Sequence, residues 1–219
     1  MTWRGAVALA AIALAACSDP VIPGRGGVYA FADTAIVGVD TTVDLFHWPA
    51  TRMPVRFWAD PRGNMRFLVE RAVAVWEDQL LYGELRGVVV NDSGSADVMV
   101  VWTDSVPPDV PPDTTPASNS CAGVTTFVYD GTGAALEGPV HVALTVLTGG
   151  PPASPGQVQA CMRRIAIHEL GHSIGLFRHS AFDEDIMYGS PIVNYPSRFD
   201  RRTVELLYHS TPTIGPPPP

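Results

Sequence analysis

The residues best suited to chemistry lie at positions 168–172, where the sequence reads His-Glu-Leu-Gly-His. Residues four apart on a helix lie on one face, about 6 Å apart along the axis, so His168 and His172 project side by side. Two imidazoles in this arrangement can bind one Zn²⁺ at about 2.0–2.1 Å. Glu169 stands next to the pair and can reach a water on the metal without being a ligand. The spacing therefore predicts a metal site with a neighbouring base.

A third histidine follows the expected end of this helix. Gly175 marks that end, because glycine tolerates the left-handed cap, and the turn lets the chain bring His179 back towards the same metal. Arg178 is excluded as a ligand, since a guanidinium stays protonated at neutral pH. Three neutral histidines leave Zn²⁺ one position open for water, which is typical of a catalytic site.

This segment resembles the metzincin zinc peptidases, and among them most closely the matrixins, whose pattern is HExxHxxGxxH followed by a Met-turn. The third histidine of that pattern falls at Arg178, whereas this chain has it one residue later at His179. We interpret the shift as a one-residue insertion after Gly175. The spacing from His179 to Met187 is again matrixin-like.

The resemblance implies a zinc-dependent endopeptidase that hydrolyses peptide bonds with a metal-activated water. Glu169 would be the catalytic general base, and Met187 would form the Met-turn floor. The implied zinc ligands are His168, His172 and His179.

Hydrophobic periodicity places strands at 55–59, 88–90, 98–102, 124–129 and 140–146, with less defined ones at 28–31 and 43–46. Helices are predicted over 65–81, from Ser154, and after Ser197, where a capping box with Asp200 begins the last one. The order is that of a zincin-like metzincin domain of the α/β (α+β) class. The resemblance implies a twisted, mostly parallel five-stranded sheet, an active-site helix and a C-terminal helix. Strand 124–129 would be the antiparallel edge, where a peptide substrate could add as a further strand.

The N-terminus is predicted to be a lipoprotein signal peptide over residues 1–16. A short apolar run follows Arg4 and ends in Leu-Ala-Ala-Cys, which resembles a bacterial lipobox with Cys17 as the lipidated residue. The alternative is an ordinary signal peptide cleaved near Ala16. The lipoprotein interpretation predicts export and anchoring to a bacterial membrane, the outer one where two exist. Residues 17–50 would be a linker and lead-in, 51–211 the catalytic domain, and 212–219 a disordered Pro-rich tail.

Cys121 and Cys161 remain once Cys17 is assigned to a lipid. Two remaining cysteines in an exported protein suggest one disulfide, which would join the start of a strand to the zinc helix. Two buried free thiols are the alternative.

The composition limits the classes of molecule that the protein is expected to bind. The chain has 219 residues, 46% of them hydrophobic, and a net charge of −8 without a basic cluster, which argues against nucleic acid. We expect a monomer that acts on protein or peptide and meets the membrane only through its lipid. A calcium ion could bind the acidic loop Asp183-Glu184-Asp185, although such loops are usually only solvated.

Two other functions compete with a metzincin peptidase. A gluzincin would take its third ligand from a downstream glutamate, but Glu184 is too close and Glu205 lacks the surrounding pattern. A catalytically silent, lipid-anchored binding module would keep the fold without the reaction. The presence of Glu169 argues against it, because a degenerate site usually loses its base.

Overall fold

The computed structural model describes residues 27–37, 40–104, 121–146 and 154–218. Across these ranges the chain is a mixed α/β domain. Its strands are β1 (Asp33–Val37), β2 (Asp40–Asp44), β3 (Val55–Ala59), β4 (Gly87–Val90), β5 (Val98–Trp102), β6 (Cys121–Thr126) and β7 (Val140–Val146). Its α-helices are α1 (Met65–Glu77), α2 (Pro155–Ser173) and α3 (Arg198–Tyr208).

A five-stranded sheet forms the centre of the domain, in the order β4-β3-β5-β7-β6. Every neighbouring pair is parallel except β6 and β7, which are antiparallel. The predicted mostly parallel sheet with one antiparallel edge strand is therefore confirmed. The central strands alternate between buried and half-buried positions, as in β3, because one face packs under the helices.

The edge strand begins and ends three residues earlier than predicted. It spans Cys121–Thr126 rather than 124–129, and its last pair joins Thr126 to His141. Because β7 starts at Val140, residues beyond Thr126 run past the end of their partner and leave the sheet. The apolar residues that follow therefore mislead a prediction based on periodicity alone.

Helix α1 also ends earlier than predicted, at Glu77 rather than Leu81. Leu80 is only 3% exposed although it lies in the turn after the helix. The helical spacing of buried apolar residues therefore extends past the end of the helix itself. The starts of α2 and α3 agree with the prediction. Each follows a serine, Ser154 and Ser197, whose hydroxyl accepts hydrogen bonds from amides of the first turn in a capping box.

The two ends of the described chain pack against the domain. Strands β1 and β2 pair with each other in antiparallel orientation. The first of them starts at Asp33, so the expected strand at 28–31 is wrong, and the one expected at 43–46 coincides with β2 only at its first two residues. The predicted disordered tail is also wrong as far as Pro218. Thr213 N donates to Leu45 O at 2.8 Å, Gly215 N donates to Ala134 O at 2.8 Å, and Ile214 is 2% exposed. Backbone hydrogen bonds and this buried side chain hold the segment.

No helix in the described ranges is long and apolar enough to cross a membrane. The predicted signal peptide, residues 1–16, and Cys17 lie outside the described residues.

Candidate metal centre

Helix α2 and the turn after it supply three histidines to one place. His168 and His172 lie on successive turns of α2, which ends before Gly175. Gly175 has a φ of +113°, and a Cβ there would lie 1.9 Å from Phe46 O, so only glycine allows this reversal. The reversed chain brings His179 back to the helix.

The three imidazoles converge through their Nε2 atoms. Nε2 of His172 lies 3.1 Å from Nε2 of His168 and 3.2 Å from Nε2 of His179. All three ligand atoms lie within 4.8 Å of one another, so the group could hold one metal ion. The predicted position of His179, despite its one-residue shift, is compatible with ligation. Arg178, at the unshifted position, points instead to Asp33, with 3.2 Å between Nη1 and Oδ1.

Two backbone carbonyls determine which ring nitrogen carries the proton. His168 Nδ1 lies 2.7 Å from Ile186 O, and His172 Nδ1 lies 2.6 Å from Leu176 O. A carbonyl can only accept, so both Nδ1 atoms are protonated and both Nε2 atoms present lone pairs. Two lone pairs 3.1 Å apart cannot satisfy each other, whereas a shared cation satisfies both. The hydrogen bonds to Nδ1 are the kind that orients histidine ligands in metal sites.

Burial keeps these histidines neutral. It lowers the pKa of His168 well below its usual value, with His172 and His179 adding to the effect. Burial, together with His179, lowers the pKa of His172 to about 3. His179 lies at the exposed rim of the site, yet the partial loss of water around its ring still lowers its pKa. Neutral imidazoles are the form that binds a metal, so the three histidines could hold one at neutral pH.

Glu169, the residue after His168 on α2, is buried, with 4% of its surface exposed. Burial raises the pKa of this carboxyl to about 7, and a hydrogen bond from Thr125 acts in the opposite direction. The Thr125 hydroxyl donates to Oε2 at 2.7 Å. A carboxylate with a pKa near neutrality is suited to acid–base work.

Met187 packs under the helix that carries the ligands. It is fully buried, and a Cβ built on Gly171 would lie 2.4 Å from its sulfur. The turn that carries Met187 is fixed from α3, because Asp200 Oδ2 accepts from Ile186 N at 2.8 Å. Ile186 O then receives the proton of His168 Nδ1. A carboxylate on α3 thus determines the orientation of a candidate ligand.

The acidic loop does not form a calcium site among the described residues. Asp185 is fully buried, and its two oxygens accept from Ser180 Oγ and Ser197 Oγ, each at 2.5 Å. Asp183 and Glu184 face solvent instead. Because Asp185 points inward to the two serines, the three carboxylates do not gather around one point.

The predicted disulfide between Cys121 and Cys161 is confirmed. It joins β6 to α2, seven residues before His168 in the sequence. The alternative of two free thiols is therefore excluded.

Sequence reasoning missed the residues that support the site. Thr125 contacts Glu169 across 44 positions of the sequence, and Tyr29 OH donates to Asp200 Oδ1 at 2.7 Å across 171 positions. Contacts so distant leave no periodic signal in the sequence. The sequence pattern indicates only a helix-capping role for Asp200.

No protein-family model matches this chain, and no curated protein matches it.

Proposed function

We propose that the protein is a zinc-dependent metalloendopeptidase of the metzincin type, most similar to the matrixins. The observation that supports it best is the convergence of three imidazole Nε2 atoms with a buried carboxylate, Glu169, next to them in the sequence. Three nitrogen ligands with an open position are the ligand set of catalytic zinc sites. The five-stranded sheet with one antiparallel edge, the helix that carries two ligands, and Met187 packed beneath it agree with the metzincin pattern.

When bound in such a site, zinc lowers the pKa of a coordinated water to about 7 and polarises a carbonyl. His168, His172 and His179 would hold the ion. Glu169 would accept a proton from the attacking water and deliver it to the leaving amine. Its burial and its position next to a candidate ligand support this role, because a carboxylate held there would be shielded from bulk water.

The substrate would be an extended segment of protein or peptide. Strand β6 is an edge strand of the described five-stranded sheet, and one of its faces lies against α2, the helix that carries His168 and His172. A peptide could pair with the outer edge of β6 by backbone hydrogen bonds and so pass across the site. The substrates would be extracytoplasmic proteins, if residues 1–16 direct export and Cys17 carries the lipid.

The test is proteolysis by the purified mature chain loaded with one equivalent of zinc. Unfolded casein should be cleaved, and a chelator or the substitution Glu169→Gln should abolish cleavage. Glu169→Gln should leave zinc content unchanged, since this residue is not a ligand. Full zinc occupancy without cleavage of casein or a peptide library at any pH would contradict the proposal and favour a silent binding module. Unchanged zinc content and activity in His179→Ala would contradict the metzincin assignment and reopen the gluzincin alternative.

A further inference from the structure

Strand β6 presents three alternating residues to helix α2. Cys121, Gly123 and Thr125 are two residues apart, so their side chains share one face of the strand. Cys121 forms the disulfide to Cys161, and the other two contact Glu169. This face of β6 is therefore built against the helix that carries the proposed base.

Gly123 lets the strand backbone come close to the carboxylate. A Cβ at this position would lie 2.5 Å from Glu169 Cγ and 2.8 Å from its Oε1. Real Cβ atoms do not approach this closely, so any larger residue would move the Glu169 side chain or the strand.

Thr125 supplies the hydrogen bond that the carboxylate receives. Its Oγ1 lies 2.7 Å from Glu169 Oε2 and 3.0 Å from Glu169 O. A hydroxyl has one proton to donate, and the shorter distance is the one to the carboxylate. Among the described residues, no other group hydrogen-bonds to this carboxylate. A glutamate has three rotatable side-chain bonds, so a single contact at its end decides the orientation of the group.

We propose that Thr125 is the positioning residue of Glu169, with Gly123 providing the space in which the carboxylate is held. The hydroxyl binds Oε2, and the absence of a side chain at Gly123 makes room for Oε1. This proposal rests on the proposed peptidase function. The face of β6 that lies against α2 would then hold the base, whereas substrate would pair with the free edge of the same strand in the described sheet.

The main test compares Thr125→Val, which keeps the shape and removes the hydroxyl, with Thr125→Ser, which keeps the hydroxyl. In the zinc-loaded full chain, Thr125→Val should lower kcat about 10- to 100-fold, part of the usual contribution of a general base, with KM within about twofold. Thr125→Ser should retain kcat within about threefold. Zinc content should be one equivalent in both variants, since neither change touches a histidine.

A structural measurement separates this inference from the proposed function. In crystals of the variants, the Glu169 carboxylate should stay in place in Thr125→Ser and leave its position in Thr125→Val. If the unmodified chain cleaves nothing, the peptidase proposal fails, and these crystals still decide whether Thr125 holds the carboxylate. An unmoved carboxylate in Thr125→Val, or equal losses of kcat in both variants, would overturn the inference.

Discussion

Replacing Gly171 by alanine should destabilise the protein at the point where the Met187 turn meets helix α2. Gly171 lies between the two helical histidines, and a Cβ there would be 2.4 Å from Met187 Sδ and 2.7 Å from Trp76 Cζ2. The methionine is flexible but fully buried. The indole is rigid, and its Nε1 donates to Ile167 O at 2.7 Å. Neither neighbour can move away without disturbing the packing of α1 on α2.

The expected magnitude follows from two opposing effects. Overpacking a well-filled core costs about 1–3 kcal/mol. Alanine is favoured over glycine inside a helix by about 1 kcal/mol, which offsets part of that cost. Gly171→Ala should therefore lower the free energy of unfolding by up to about 2 kcal/mol. Gly156→Ala is the matched control, because Gly156 lies in the first turn of the same helix with nothing within 4 Å of an added Cβ. It should be neutral or stabilise by up to about 1 kcal/mol.

Urea denaturation of both variants with a chelator present would measure the two free energies of unfolding. Zinc titration of the same variants should show weaker binding only in Gly171→Ala, because a displaced Met187 also moves Ile186, whose carbonyl orients His168. Equal stabilisation by the two alanines would refute the packing described for Met187, since overpacking would then be absent.

Three further predictions concern the disulfide, a buried carboxylate and the metal. Replacing Cys121 and Cys161 together by alanine should destabilise by about 4 kcal/mol in denaturant, from the entropy of a loop with a sequence separation of 40; a loss below about 1 kcal/mol would contradict this. Burial opposes ionisation of Asp97, yet hydrogen bonds from Arg56 and Arg52 lower its pKa below the usual 3.8. The ionised Asp97 therefore contributes fully to stability above pH 3.8, and this contribution is lost as the pH falls through the lowered pKa. Asp97→Asn should cost about 1.5–3 kcal/mol at pH 7, the usual value of a hydrogen bond to a charged group, and should flatten the acid limb of the stability curve. Zinc at 1,000 times its Kd should raise the free energy of unfolding by about 4 kcal/mol, and a chelator should reverse the rise; an unchanged melting temperature would contradict binding to the folded state.

Local sequence patterns predict the bounds of those strands and helices that no tertiary contact shortens or extends. The strands at 55–59, 98–102 and 140–146 have the predicted bounds because each starts with valine and carries apolar residues along most of its length, which suits a pleated, half-buried surface. Helix α3 starts where Ser197 and Asp200 form a capping box, a signal contained within four residues. Errors occur where tertiary contacts decide the boundary. Strand β6 ends where its partner β7 begins, and the chain's last turn is held by the distant Leu45.

The residues of the candidate site also fall into two groups, those that the local sequence predicts and those that only the tertiary fold brings together. The spacing of His168 and His172 on one helix places both imidazoles on one face, so the sequence alone predicts their pairing. The sequence also predicts His179, because a glycine reversal needs only local chemistry. Thr125 and the carbonyl of Ile186 act on the site from other elements, and only the folded chain brings them there. The sequence thus predicts the candidate ligands, while the groups that orient them depend on the tertiary fold.

The most direct test of the central claim is a crystal structure of the zinc-loaded chain with data collected at the zinc absorption edge. We predict one anomalous peak per chain, about 2.0–2.1 Å from Nε2 of His168, His172 and His179. A peak bound by the two helical histidines alone, with the ring of His179 turned away, would contradict the three-histidine centre and the peptidase proposal that depends on it.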